Sequence, residues 1–559
     1  MNKCNITIKG KEDVTLAGNT GGSLMNIVNN SKEINYTFPC GGNGRCGKCT
    51  VRILKGDFDI TSDDRKFFSE EQLKLGYRLA CKAIVTQDCV IEYKGIIENS
   101  YDVQSDFVDV RDKSEKISGK SSGIISDTIS GEESDIISDK ISGAVNDKIN
   151  KKSGTELGIA IDIGTTTIAL SLVDLDSRNI INTYTSLNHQ RKFGADVIAR
   201  IKASNDGNGE ALRSVIQKDL LNGINYLIKT NNIEVSEIKE IAIAGNTTMG
   251  HLLLGYSCET LGVFPFTPVD ISAKTLKFNE VFGNDISETG LEKLSNTDVY
   301  FLPGISTYVG ADITSGILHC CMNQSQEVSL LIDLGTNGEM AIGNSDKILV
   351  TSTAAGPAFE GGNISCGTGS IDGAICDVKI CDDDVQIKTI NNKMPVGICG
   401  TGVIAVTAEL LENEIVDETG RLDDEYFEEG FKLDGDIVFT QKDIREIQLA
   451  KSAIRAGAKT LILRYGIDIS DISKVYLAGG FGYHIDLDKA IKTGLLDEAL
   501  RDRIIAVGNS SLAGAVLALS DENEKKQLEK ICDISQEISL SDDRDFQEFY
   551  MDYMMFEDE

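Results

Sequence analysis

The sequence predicts a multidomain chain: a compact α+β domain at residues 1–95, a linker at 96–153, and a two-lobed α/β body with lobes at 154–324 and 325–559. Three observations predict it. Residues 1–95 alternate short apolar runs with turns (NITIKG, DVTLAG, VRILKGDF, CVIEYKG) around one helical stretch, SLMNIVNN, and such runs between turn signals mark strands. Residues 101–153 shift to Ser, Asp, Lys, Gly and Ile, with IISDTISG at 124–131 nearly repeated as IISDKISG at 136–143, the texture of a solvated, flexible linker. From residue 157 onward strands and helices alternate around glycine turns, and three segment pairs recur in one order.

Those pairs argue for two homologous lobes. IAIDIGTTTIALSLVD (159–174) resembles SLLIDLGTNGEMAIG (329–343): an apolar strand, Asp, Gly, Thr, then a second strand. IKEIAIAGNTTM (238–249) resembles ISKVYLAGGFGY (472–483), a strand running into a glycine turn. Gly304 with Gly310 and Ala311 has the spacing of Gly508 with Gly514 and Ala515, each set placed at the start of an apolar helical run. The second lobe carries extra sequence at about 371–439.

Composition excludes several function classes. At roughly 150 residues per domain, 559 residues imply three or four domains. With 55 Lys and Arg against 87 Asp and Glu, the net charge of −32 repels phosphate backbones and anionic lipid surfaces, so neither nucleic acid nor a membrane is an expected partner. The N-terminal MNKCNITIKGKED lacks a secretory pattern, and each long uncharged stretch is broken by polar GNTT or GNSS; a cytoplasmic location is expected. Fourteen cysteines in such a chain read as thiols and metal ligands rather than disulfides.

Cys40, Cys46 and Cys49 lie in PCGGNGRCGKC, and Cys81 follows in YRLAC. Three thiolates on a glycine-rich loop can wrap a small inorganic core, while Gly41, Gly42, Gly44 and Gly47 free backbone N–H groups to face its negative charge. The spacing is C-x5-C-x2-C and then 31 residues to the fourth Cys, one longer in the first gap than the plant-type 2Fe-2S pattern. A structural zinc site is the competing reading, although zinc knuckles usually come as paired C-x2-C turns. Cys4 and Cys89 read as core residues. The other cysteines, including Cys366, Cys376, Cys381 and Cys399, show no ligand spacing, and His319 beside Cys320 and Cys321 reads as a helix residue.

Asp162, Gly164, Thr165, Thr166 and Thr167 form a strand, tight turn and strand. Glycine lets the backbone approach a phosphate, Thr hydroxyls and amides donate to it, and Asp at the strand end can hold Mg²⁺ through water. Asp333, Gly335, Thr336, Asn337 and Glu339 repeat the device, so the two loops would clamp a polyphosphate across a cleft. Gly479, Gly480 and Phe481, after strand VYLA, would let a base and ribose approach the backbone. No Walker loop or dinucleotide fingerprint is present. Asp162, Asp333 and Glu339 are the candidate catalytic carboxylates; Glu339 and Asp312 are both candidates to position an attacking water.

The N-terminal domain resembles the β-grasp 2Fe-2S ferredoxins, with adrenodoxin-like spacing. The order DIGTTT, DLGTNGE, LAGGFG resembles the actin, sugar-kinase, acetate-kinase and heat-shock-chaperone superfamily, whose two ribonuclease-H-like lobes hinge over ATP. Together with NHQRKFGADVIARI (188–201), GNTTMGHLLLG (245–255), AAGPAFEGG (354–362) and GNSSLAGA (508–515), the whole chain resembles the reductive activators of corrinoid-dependent enzymes. The linker repeats and the acidic C-terminus depart from that pattern.

The resemblance implies a fold, cofactors and partners. It implies an actin-like ATPase fused to a ferredoxin domain, with a 2Fe-2S cluster on Cys40, Cys46, Cys49 and Cys81, and ATP with Mg²⁺ in the cleft. The activity implied is ATP-dependent electron transfer to the inactive cobalt(II) corrinoid of a methyltransferase system's corrinoid protein, restoring cobalt(I). A plant-type cluster near about −400 mV makes that transfer uphill, so ATP must act through unequal affinity for two states. An upstream low-potential electron donor or reductase is implied, and a homodimer is left open. The alternatives are a redox-regulated small-molecule kinase and a nucleotide-sensing electron carrier.

Overall fold

The structure, a computed structural model, describes residues 3–9, 13–29, 42, 44, 47, 49–56, 58–93, 105–108, 110–111, 156–283, 286, 290–381 and 384–556. Cys40, Cys46 and the Ile-Ser-Asp repeats of the linker lie outside the described residues.

In the N-terminal unit, β1 (Lys3–Lys9) and β2 (Val14–Asn19) form a hairpin, followed by helix α1 (Leu24–Asn29), β3 (Thr50–Lys55), β4 (Tyr77–Leu79) and β5 (Cys89–Tyr93). The sheet order is β2-β1-β5-β3-β4, with β1 and β5 parallel and the other pairs antiparallel. Alternation dictates the faces: Cys4, Ile6 and Ile8 point inward with Cys89 and Ile91 into one core, so Cys4 and Cys89 are core residues.

The first lobe is a six-stranded sheet built from β6 (Leu157–Ile163), β7 (Thr167–Asp174), β8 (Ile180–Leu187), β9 (Ile238–Gly245), β10 (Lys274–Lys277) and β11 (Asp298–Phe301), in the order β8-β7-β6-β9-β11-β10. The second lobe uses β12 (Ser329–Leu334), β13 (Gly338–Gly343), β14 (Ile348–Thr353), β15 (Lys474–Ala478), β16 (Ile504–Gly508) and β17 (Ser535–Glu537), in the order β16-β15-β12-β13-β14-β17. Five strands of each lobe correspond one to one. A three-stranded antiparallel meander leads into two parallel strands, and only the sixth strand differs in place and direction. The central strands are buried on both faces, as LGIAIDI and SLLIDL require.

Two helices lie between the lobes. Helix α2 (Ala311–His319) follows the first-lobe sheet and α3 (Ser510–Ser520) follows β16. They cross closely because Gly514 lies against Ser315 and Gly316 against Ser510: a Cβ at either glycine would come within 2.5 Å and 2.9 Å of those residues. His319 is the last residue of α2. The third repeat pair differs in one respect: the first helix starts with Gly310 as its cap, whereas Gly514 sits inside α3.

One expectation needs correction. The sequence predicts a solvated linker, yet residues 105–108 are laid along the end of β16. Val108 N donates to Val507 O at 3.2 Å, Asn509 N donates to Asp106 O at 3.0 Å, and Arg111 pairs with Glu524 at 2.6 Å. Phe107 and Val110 supply the apolar surface that Ser, Asp and Lys lack, and pack on the core between the lobes. The acidic C-terminus has a defined seat of its own. Helix α4 (Arg544–Asp552) packs on the long helix Gln441–Tyr465, where buried Lys451 donates to the carbonyls of Tyr553 and Met555.

Candidate functional site

The cluster loop is held by strand pairing. Thr50 faces Leu79 across β3 and β4, and Ala80 N donates to Cys49 O at 2.8 Å, so Cys49 and Cys81 emerge side by side, 2% and 9% exposed. Gly42, Gly44 and Gly47 all have φ between 70° and 81°, and a Cβ at each would come within 2.6–2.8 Å of Met25, Lys82 or Phe67. Only glycine fits at these three positions. The donor set of two buried thiols and a left-handed glycine loop fits an iron-sulfur cluster; the other two thiols, Cys40 and Cys46, lie outside the described residues.

Between the lobes lies a cavity of about 710 Å³. All the predicted nucleotide residues, Asp162, Gly164 to Thr167, Asp333, Gly335 to Asn337, Glu339 and Gly479 to Phe481, line it, together with Asp312. The β6–β7 and β12–β13 turns, the two Asp-Gly-Thr loops, line it from opposite lobes. Gly479, at φ 86°, is needed for a reason other than ligand approach: a Cβ there would lie 2.7 Å from Leu334 O and 2.8 Å from Asp333 Oδ1.

The first loop is braced from behind. Asn188 donates to Gly164 O at 2.9 Å and Asn246 to Thr165 Oγ1 at 2.9 Å. Arg200, fully buried, donates to Thr165 O at 2.5 Å and to Gly194 O at 3.0 Å. Burial lowers its pKa to about 9, which leaves it cationic at neutral pH behind the loop.

Four carboxylates crowd the floor. Desolvation first, then mutual repulsion, pushes Asp312 and Asp333 up to about 7 and raises Glu339 well above the usual carboxylate range. Asp162 is raised by desolvation and partly restored by two donors from the other lobe, Asn509 Nδ2 at 3.0 Å and Ser511 Oγ at 2.7 Å. Among the described residues no three His, Cys, Asp or Glu side chains are grouped to hold a metal ion on their own.

Sequence reasoning missed Asn246, Asn509, Ser511, Arg200 and Glu360. The signals were present in GNTT and GNSS, where Asn before a helix is a cap; both do cap, Asn246 to Met249 N and Asn509 to Leu512 N. Their second role, reaching across to Thr165 and Asp162, depends on tertiary placement and leaves no local pattern. Glu360 accepts hydrogen bonds from Thr166 at 3.1 Å and Thr336 at 2.9 Å, joining loops of different lobes.

Fold and site together define a two-lobed ASKHA-type domain, of the actin and sugar-kinase kind, joined to a ferredoxin-type iron-sulfur domain. The chain matches the families described as the C-terminal ASKHA domain of RACo at 327–559, the RACo middle region at 157–325, and the 2Fe-2S iron-sulfur cluster binding domain at 6–86. It is 35% identical over 428 residues to the corrinoid activation enzyme RamQ of Eubacterium limosum, covering 72% of this chain and 70% of that protein. It is 29% identical to the [Co(II) methylated amine-specific corrinoid protein] reductase of Methanosarcina barkeri, covering 70% and 76%. A solved reductive activator for corrinoid, iron-sulfur protein matches with 30% identity and a TM-score of 0.65 over 99% of this chain and 98% of that one. The chain belongs to the family of RACo-type corrinoid activators. No helix among the described residues is long and apolar enough to cross a membrane.

Proposed function

We propose that the protein is an ATP-dependent reductive activator that delivers one electron to the cobalt(II) corrinoid of a methyltransferase system's corrinoid protein and returns it to cobalt(I). The observation that carries this is the union, in one chain, of a cysteine loop shaped for an iron-sulfur cluster with a cleft in which two Asp-Gly-Thr loops face each other. Relatives named for corrinoid activation and corrinoid protein reduction support the same reading.

Cys40, Cys46, Cys49 and Cys81 would hold a 2Fe-2S cluster, which when bound supplies single electrons at low potential. Gly164 to Thr167 and Gly335 to Asn337 bind the polyphosphate from opposite lobes, and Gly479 to Phe481 take the nucleoside. Asp162 and Asp333 would hold a Mg²⁺ ion, which when bound would offset the phosphate and carboxylate charge. Either Glu339 or Asp312 would position the attacking water and accept its proton at a carboxylate oxygen. Because Asn509 and Ser511 hold Asp162 from the opposite lobe, nucleotide occupancy sets the relation between the lobes. That relation supplies the unequal affinity for the cobalt(II) partner that an uphill transfer requires. An external low-potential reductase or donor refills the N-terminal domain.

The test is anaerobic: the reduced protein is mixed with a cobalt(II) corrinoid protein of the same organism, and cobalt(I) absorbance is followed with and without Mg-ATP. ATP-dependent cobalt(I) that disappears in Cys46→Ala is the expected result. No cobalt(I) with several such partners, alongside phosphorylation of a metabolite, would replace this reading with a redox-regulated kinase.

A further inference from the structure

Glu360 stands between the two phosphate loops, and among the described residues it accepts its hydrogen bonds from their threonines. Thr166 Oγ1 lies 3.1 Å from Oε2 and 3.3 Å from Oε1, and Thr336 Oγ1 lies 2.9 Å from Oε1. A threonine hydroxyl has one proton to donate. While Glu360 accepts both protons, neither hydroxyl can donate to a phosphate.

We infer that Glu360 is a positioning residue that stands in for the terminal phosphate of the nucleotide: it holds the two loops together through their threonines, and the threonines exchange its carboxylate for the γ-phosphoryl oxygens when nucleoside triphosphate binds. This rests on the nucleotide reading of the cleft and deepens it, because it makes the triphosphate, rather than the diphosphate, the ligand that releases Glu360.

The turn bearing Glu360 is built to present a carboxylate. Pro357 to Glu360 form a short 3-10 turn closed by Gly361 N to Ala358 O at 3.0 Å and Gly362 N to Pro357 O at 2.7 Å. Gly356 and Gly361, at φ 77° and 72°, flank it. Phe359 is buried and stacks on Phe481 with centroids 4.8 Å apart, which links this turn to the loop expected to take the nucleoside. A Cβ at Gly400 would lie 1.8 Å from Phe359 O, so the turn is also seated against the neighbouring helix. Arg200 is close enough for Glu360 to favour its charged form, but its guanidinium donates to Gly194 O, Thr165 O and Met249 Sδ. It braces the loop and leaves the carboxylate to the threonines.

The exchange predicts a discrimination that a merely structural glutamate would not produce. Calorimetric titration of the full chain with Mg²⁺ plus the β,γ-imido analogue of ATP, and separately with Mg²⁺ plus ADP, reads it directly. In Glu360→Gln, which keeps the size but drops the charge, the analogue should bind about tenfold tighter, and ADP should change less than about threefold. Glu360→Asp, which keeps the charge, should stay nearer the wild-type ratio of the two affinities. Thr336→Val should weaken the analogue more than ADP. An unchanged or reduced analogue-to-ADP preference in Glu360→Gln, with its visible absorbance and melting temperature intact, overturns the exchange alone. If the wild-type chain binds neither nucleotide, the nucleotide reading falls and this inference falls with it.

Discussion

Asn509 uses both ends of its side-chain amide: the carbonyl caps helix α3 at Leu512 N, and the NH₂ donates to Asp162 Oδ2, 3.0 Å away in the other lobe. A hydrogen bond to a charged acceptor contributes roughly 1.5–3 kcal/mol, and a lost cap costs about 1 more. Asn509→Ala should therefore weaken Mg-nucleotide binding by roughly tenfold or more. Asn509→Ser, which keeps a cap but cannot span the distance, should recover stability without recovering affinity. Calorimetric titration and thermal melting of the two variants separate the roles; equal affinity in Asn509→Ser and wild type would remove Asn509 from the site.

The carboxylate floor makes a pH prediction with a definite sign. Asp312 and Asp333 are raised to about 7 in the folded chain, above their ordinary value near 3.8. Through that window the folded state binds more protons than the unfolded state, so stability falls as pH rises from about 4 to about 7 and levels off above it. Asp333→Asn removes one charge that must be buried. It should raise the melting temperature of the nucleotide-free chain at pH 8 by roughly 2–6 °C, do little at pH 5, and abolish hydrolysis. A melting temperature lower than wild type at pH 8 would mean that the floor carries no such penalty.

Cluster and cleft should fail independently. Cys49 and Cys81 sit in a sheet core separate from the cavity between the lobes. Cys81→Ser should lose the visible iron-sulfur absorbance and cobalt(I) formation while keeping Mg-nucleotide affinity within about twofold. Absorbance retained at the wild-type level, measured on anaerobically purified protein, would exclude Cys81 as a ligand.

Most of the fold was legible because the duplicated hairpins carry their own signals. In 159–174 and 329–343 the Asp, Gly and Thr sit where two buried strands must turn, and local chemistry alone fixes a tight turn there. Gly42, Gly44 and Gly47 were legible for the same reason: their conformation excludes other residues. Asn509, Arg200 and Glu360 were not, because each acts on a residue far along the chain, at separations of 347, 35 and 194. Periodicity reports which face is buried, not which distant loop a polar tip reaches. Phe107 was missed through averaging: a segment dominated by Ser and Asp reads as solvated, even when one aromatic residue finds a core.

The docked piece of linker gives the last prediction. Gly508 has φ 72°, and a Cβ on it would lie 2.2 Å from Asp106 O, so the linker backbone passes directly over the residue that precedes Asn509. Phe107 bridges to Gly508, and Asn509 N donates to Asp106 O, so the same two residues that anchor the linker lead into the side chain that holds Asp162. Arg111 secures the far end through Glu524 and Leu318 O. Replacing Arg111 by Ala leaves the buried Glu524 without this partner, at a cost of about 1–3 kcal/mol. Phe107→Ala removes the apolar contact. The double variant should melt lower, become open to limited proteolysis at 105–111, and bind Mg-nucleotide more weakly because Asn509 loses its backbone partner. Mg-nucleotide should in turn slow cleavage at 105–111 in the wild type, since affinity coupling between two sites is reciprocal. Cleavage at the same rate with and without nucleotide would show that the linker and Asp162 are not coupled through Gly508 and Asn509.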